Sequence, residues 1–319
     1  MKQIRLFAAG LLLLAAAGCT GRTGTAVPEV YMTRDISPAG LNAVYEALGR
    51  EAKGKVAVKI STGEPGGSNF LKPALIGDFV RKIGGTIVEC NTAYGGGRAA
   101  TADHLKAAEE HGFTAIAPVD IMDAEGEIAL PVVGGKHLKE DFVGSHFPAY
   151  DFTVILSHFK GHAMGGFGGA LKNMSIGIAS SAGKAWIHTA GKTRTDLWNN
   201  LPEQDAFLES MAEAAKAVAD HCGERILYIN VMNNLSVDCD THPAAPQMGD
   251  IGIFASLDPV ALDQACVDQV YASEDPGKVH LIERMESRHG IHTVEHAAAI
   301  GLGSREYTLV DLDRTQPQQ

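Results

Sequence analysis

The chain has 319 residues, with 27 Lys and Arg against 38 Asp and Glu and a net charge of −11. That length suffices for one large domain or two small ones with a sizeable core, and an acidic balance without a basic run argues against nucleic acid as a partner. Of five cysteines, Cys90, Cys222, Cys239 and Cys266 are scattered and no CxxC pair occurs, so neither a disulfide scaffold nor a four-cysteine cluster is written here, and any pairing among the four stays open.

The first residues read as a leader. Lys2 and Arg5 make a positive start to the apolar run 4–17, which is too short for a secure bilayer span and ends in Ala16-Ala17-Gly18-Cys19. Small residues before a cysteine are what a lipoprotein signal peptidase accepts. The expectation is an exported lipoprotein: residues 1–18 are removed, Cys19 takes the lipid, and the domain is held to a membrane on the periplasmic or cell-surface side. An ordinary secretory cut or an uncleaved anchor would export it equally. Residues 19–29, small and polar with Gly and Pro, read as a flexible tether, and 30–315 as a single domain.

From Lys55 the apolar pattern alternates. Strands are expected at 56–60, 86–90 and 114–118, with helices at 72–83 and 101–111 between them, and this order argues for an α/β fold with a mostly parallel sheet and crossover helices, with room for two lobes. Two loops after these strands carry candidate chemistry: 61–69, rich in Gly, and 91–98, where Arg98 and the amides opening the next helix could hold a carboxylate or phosphate. An ordinary Gly-rich turn is the competing reading.

A further strand, 152–156, leads into Ser157-His158-Phe159-Lys160-Gly161-His162 and then the glycine-rich stretch 165–169. In open α/β sheets the carboxyl ends of strands face the ligand crevice, so two imidazoles and a lysine there are placed for a site. Neutral imidazole ligates metals, and a lysine can serve as base or charge clamp. The glycines admit either close backbone approach to a ligand or close packing of the helix that follows. Their spacing matches no nucleotide-binding fingerprint. His188 could complete a three-imidazole set with His158 and His162.

An amphipathic helix is expected at 203–221, then strands at 226–231 and 251–254, and a helix from 258 to 271 opened by Asp258-Pro259 as cap and first residue. At the end of the strand at 226–231 and beyond it come Asn230, Asn233 and Asn234 and then Asp238-Cys239-Asp240-Thr241-His242. This donor set suits a borderline metal, and a solvated acidic loop explains it as well. The remaining histidines, among them His104, His111, His289, His292 and His296, fall on helices or their ends, where packing explains them more cheaply than metal.

Taken together, 59–70 (KISTGEPGGSNF), 91–105 (NTAYGGGRAATADHL), 157–182 (SHFKGHAMGGFGGALKNMSIGIASSA), 228–240, 250–263 (DIGIFASLDPVALD) and 300–309 (IGLGSREYTL) closely resemble the bacterial and archaeal family called domain of unknown function 362. The resemblance covers nearly all of the expected mature chain. Many members carry a ferredoxin module after the stretch equivalent to 182–189. Here the chain runs through 192–200 straight into the helix, so the resemblance implies no iron–sulfur cluster. Members often show Cys-Asp-Cys where this chain has Cys239-Asp240-Thr241, which costs one metal ligand. The family supplies no settled activity, and the crevice is similar in architecture, distantly, to that of nickel-dependent lactate racemases.

The leading expectation is thus an exported enzyme with a small anionic ligand and a divalent transition metal in one His/Lys-rich crevice. Lys160 and Lys172 are the candidate catalytic groups. Arg98, Asn173 and Asn230 are the candidate ligand-binding groups, and His158, His162, His188, Asp238 and Asp240 the candidate metal ligands. A non-catalytic solute- or metal-binding lipoprotein is the alternative.

Overall fold

The computed structural model describes residues 26–238 and 245–315, so the leader, Cys19, Cys239 and Asp240 lie outside the described residues. In chain order the elements are β1 (Glu29–Thr33), α1 (Pro38–Ala47), β2 (Val56–Lys59), α2 (Pro73–Lys82), β3 (Gly85–Glu89), α3 (Thr101–Glu110), β4 (Val119–Ile121), β5 (Glu127–Pro131), β6 (Glu140–Gly144) and β7 (Phe152–His158). They continue as β8 (Lys160–His162), β9 (Gly166–Gly168), α4 (Ala170–Ser175), α5 (Ser181–His188), α6 (Gln204–Cys222), β10 (Ile226–Met232), β11 (Gly252–Ser256), α7 (Pro259–Ala272), α8 (Lys278–Ser287), α9 (Ile291–Ala299), β12 (Thr308–Asp311) and α10 (Leu312–Thr315).

The fold is α/β. One eight-stranded sheet runs in the order β12-β1-β11-β10-β7-β2-β3-β4, parallel throughout except that β11 runs antiparallel to both β10 and β1. Two hairpins, β5-β6 and β8-β9, stand apart from it. Both faces of the sheet are covered, which is why its strands are apolar without alternation. Along β7, Val154 and Leu156 join the core under α1 and α2, with Ile76 and Phe79, while Ile155 joins the core on the other face with Leu171, Leu208 and Val260. Among the described residues no helix is long and apolar enough to cross a membrane.

The helix starts follow their caps. Ser37 accepts from the Gly40 amide ahead of α1, and Asp258 accepts from the Val260 and Ala261 amides with Pro259 in the first turn of α7. Three expectations need correction. The strand expected at 114–118 begins only at Val119, because Gly112 leaves α3 with φ 85° and Phe113 through Ala115 make a short 3-10 turn that seats Phe113 in the core. Glu29, assigned to the tether, already belongs to β1. The glycine-rich stretch expected as a loop is the β8-β9 hairpin, with Lys160 opposite Gly168 and His162 opposite Gly166.

Candidate functional site

Four parallel strands, β3, β2, β7 and β10, end on the same edge of the sheet, and the residues just beyond them border a cavity of about 870 Å³. Its walls are rich in positive charge. Lys59 comes from β2, Arg98 from the loop after β3, and Lys160 from β8. Lys172 and Lys184 come from α4 and α5, and Arg284 and Arg288 from α8 and its end. Against these seven, the carboxylates among the described lining residues are Glu89 and Asp238. The size falls within the range of small-molecule sites.

Beneath the crevice lies a buried ionic network. The Lys59 ammonium reaches Glu89 Oε2 at 3.0 Å and Asn173 Oδ1 at 3.1 Å, and Arg98 reaches Glu89 Oε1 at 3.2 Å and Glu64 Oε1 at 2.8 Å. Burial alone would raise the Glu89 carboxyl, but Lys59, His104 and Arg98 together outweigh it and hold it well below the usual carboxylate range. Lys184 donates to the Ala179 carbonyl at 2.6 Å, and its burial pulls the ammonium pKa down. The Cys90 thiol is pushed up to about 12, chiefly by burial, and stays protonated.

Backbone groups decide the histidine tautomers. His162 Nδ1 accepts from the Gly165 amide at 2.9 Å and the Met164 amide at 3.3 Å, so the ring proton sits on Nε2. His188 Nδ1 donates to the Lys184 carbonyl at 2.7 Å, which leaves Nε2 to accept from the Tyr94 hydroxyl at 3.1 Å. His158 Nε2 donates to the Asn233 carbonyl at 2.6 Å. Burial, reinforced by Lys172, holds His162 well below its ordinary pKa, and burial lowers His188 to about 4 against the pull of the Lys184 carbonyl. Both rings are neutral at pH 7, His162 with its proton on Nε2 and His188 with its Nε2 lone pair taken by the Tyr94 hydroxyl.

These contacts sort the expected site residues. Arg98, His158, Lys160, His162, Lys172, Asn173, His188 and Asp238 all border the crevice. Asn173 spends its amide on the protein, donating to the Lys59 carbonyl at 3.0 Å and to Ser157 Oγ at 3.1 Å, and so braces β2 against β7. Asn230 is not in the crevice. It is fully buried and donates to Asp263 Oδ1 at 2.8 Å, holding the carboxylate that accepts from the Ala170 and Leu171 amides. The amides opening α4 are therefore capped by Asp263, Gly169 packs against that carboxylate, and Gly168 and Gly169 also border the crevice.

Among the described residues this crevice gathers no close set of metal donors, and Asp240 of the expected set lies outside them. The donor atoms of His158, His162, His188 and Asp238 do not lie together, and the Gly165 and Met164 amides occupy the Nδ1 lone pair of His162. Asp238 is paired with Arg284 at 2.9 Å, and the surrounding ammonium groups would repel a dication. Among the described residues, the donors that do lie together are Asp205, His289 and His292, away from β7 and β10. Sequence reasoning passed over those histidines. It also missed Lys59, Glu89 and Lys184, although an ionisable residue closing an apolar parallel strand, as in VAVK and GTIVE, was a usable signal. Arg284 and Arg288 reach the crevice from a helix far along the chain, which no local pattern announces.

The profile of a family described as "Domain of unknown function (DUF362)" matches residues 56–268. No curated protein matches the chain. Among solved structures, the lactate racemase apoprotein from Thermoanaerobacterium thermosaccharolyticum is similar at 18% identity and a TM-score of 0.38, over 63% of this chain and 50% of that one. A protein from Thermotoga maritima is similar at 13% identity and a TM-score of 0.41, over 82% of this chain and 58% of that one. The chain thus spans between half and three fifths of these structures, and neither likeness bears on its chemistry.

Proposed function

The chain belongs to the DUF362 family, whose profile spans residues 56–268, and from the crevice this fold carries we propose that it binds a small anionic molecule there and moves protons on it. The observation that carries the reading is the imbalance among the described residues of the walls, seven cationic side chains against Glu89 and Asp238, within a protein whose overall charge is −11. A cation-lined cleft in an acidic molecule focuses anions to one place. Neutral His162, with its proton on Nε2, supplies a hydrogen-bond donor that a bound oxyanion can use, and Lys160 and Lys172 are the groups to exchange a proton with it. Lys160 is held in place by its bond to the Asn69 carbonyl at 2.9 Å. We further propose that the domain works outside the cytoplasm, tethered to a membrane through a lipid on Cys19, which follows from the pattern of residues 2–19.

The test is a melting experiment with inorganic phosphate, sulfate, malonate and a neutral sugar, on wild type, Lys160→Met and Lys172→Met. A ligand that binds only the folded state raises the melting temperature. The reading expects a rise with at least one anion, none with the sugar, and a smaller rise in both variants once each is compared with its own unliganded value. Equal rises in all three proteins, or none in any, would overturn it.

A further inference from the structure

Outside the crevice, α6 and the start of α9 face one another through a row of opposite partners. Asp205, Glu209 and Glu213 recur every fourth residue on one face of α6, and His289, His292 and His296 recur at a helical spacing across the turn into α9. They meet in order, and Glu209 also takes Lys136, His137 and His296. His289 Nδ1 lies 2.7 Å from Asp205 Oδ1, His292 Nε2 lies 3.2 Å from Glu209 Oε1, and His296 Nε2 lies 3.3 Å from Glu213 Oε1. The row opens toward solvent, since the side chain of Glu213 is 0% exposed, Glu209 10% and Asp205 50%.

We propose that the outer end of this row, Asp205 with His289 and His292, is a binding site for one divalent transition-metal ion of the zinc or nickel kind. One donor atom from each residue lies within 4.8 Å of the other two. Tetrahedral donors about 2.1 Å from a shared ion stand about 3.4 Å apart, so closure asks for a movement of roughly 1 Å, which side chains at the surface can make. Two imidazoles and a carboxylate are a donor set for a borderline ion. The supporting shell is already in place. His292 holds Glu209 through Nε2, the carboxylate contact that orients a metal-bound imidazole, and this leaves Nδ1 to coordinate. Glu295 Oε2, 3.6 Å from that Nδ1, can supply a fourth oxygen. His289 adopts φ 50°, a left-handed conformation uncommon outside glycine, and lies flat against His292 with ring centres 5.0 Å apart.

The site stands at the rim of the crevice and is independent of the anion reading. Gln204, next to Asp205, donates to the Met164 carbonyl and to the Arg288 carbonyl at 2.8 Å each, and Arg288 directly precedes His289. An ion held there fastens α6 to the turn between α8 and α9, and so fixes one wall of the crevice.

The test is calorimetric titration with zinc chloride and with nickel chloride on the full chain, for wild type, Asp205→Asn, His289→Asn, His292→Ala and the crevice variant His158→Ala. Asparagine at 289 tolerates the left-handed backbone, and the exposed Asp205 and His289 positions guard against loss of folding in the His292 variant. The proposal expects one ion per chain in wild type and His158→Ala, and an affinity weaker by about tenfold or more in each of the other three. With the ion at a hundredfold excess over the wild-type Kd, the melting temperature of the first two proteins should rise by about 5 °C and that of the other three by about half as much or less. Absence of binding in wild type, equal binding in all five proteins, or a loss confined to His158→Ala would overturn it.

Discussion

Glu89 keeps its charge in the interior because Lys59 and Arg98 stand against its two oxygens, and the network is fastened to the sheet through Asn173. Removing one partner of such a pair leaves the other desolvated and alone. Lys59→Met should therefore cost about 3–5 kcal/mol in urea unfolding, and Lys59→Met with Glu89→Gln distinctly less; a single variant within 1 kcal/mol of wild type would contradict the network's role. His188 makes a second prediction, on pH. Its folded pKa of about 4 lies below the ordinary 6.5, so between those values the unfolded chain binds a proton that the folded chain refuses. Stability should fall as pH drops from about 6.5 toward 4, and His188→Gln should flatten that slope; an unchanged slope would place the proton uptake elsewhere. At this scale the sequence disclosed which loops matter better than what each residue does. Asn173 and Asn230 read as ligand groups because an amide bonding a ligand and one bracing two strands are the same residue in a one-dimensional pattern.

The start of α4 shows how an element is placed at the site. Asp263, on α7, accepts from the Ala170 and Leu171 amides, and a side chain at Gly169 would bring its Cβ to 2.3 Å from Asp263 Oδ1. Burial raises Asp263 to about 6 even though these amides and Asn230 favour its charged form. Gly169→Ala should destabilise by about 1–3 kcal/mol and shift the position of Lys172, read as weaker anion binding alongside a lower melting temperature; a variant with wild-type stability would show that the approach of α7 is not constrained there. Most elements were legible, since apolar strands alternating with helices have few other solutions. Less was visible where partners are distant. Nothing in the run 251–254 says that β11 pairs antiparallel between β10 and β1, and the short apolar stretch after Gly112 suited a strand as well as the turn that seats Phe113.

The whole molecule combines a net charge of −11 with a cation-walled cleft at the carboxyl edge of its sheet, the edge where open α/β folds place ligands. The cleft's position was legible from the loops that follow each strand. Its charge was legible only in part, through Arg98, Lys160 and Lys172, because Lys184, Arg284 and Arg288 join it only through the fold. The proposed tether adds a prediction at this scale: Cys19→Ala should change processing and release the protein from membranes, and a variant that stays membrane-bound after normal cleavage would contradict lipidation. The central claim, a small anion held by the cleft, is tested most directly by equilibrium dialysis of radiolabelled phosphate and malonate against wild type, Lys172→Met, Arg288→Met and the rim variant Asp205→Asn, at low and high salt. We predict one anion per chain in wild type and in Asp205→Asn, weakened by added salt and weakened about tenfold by each loss of a crevice cation. Binding of neither anion to wild type, or binding as tight in Lys172→Met and Arg288→Met as in wild type, would contradict it.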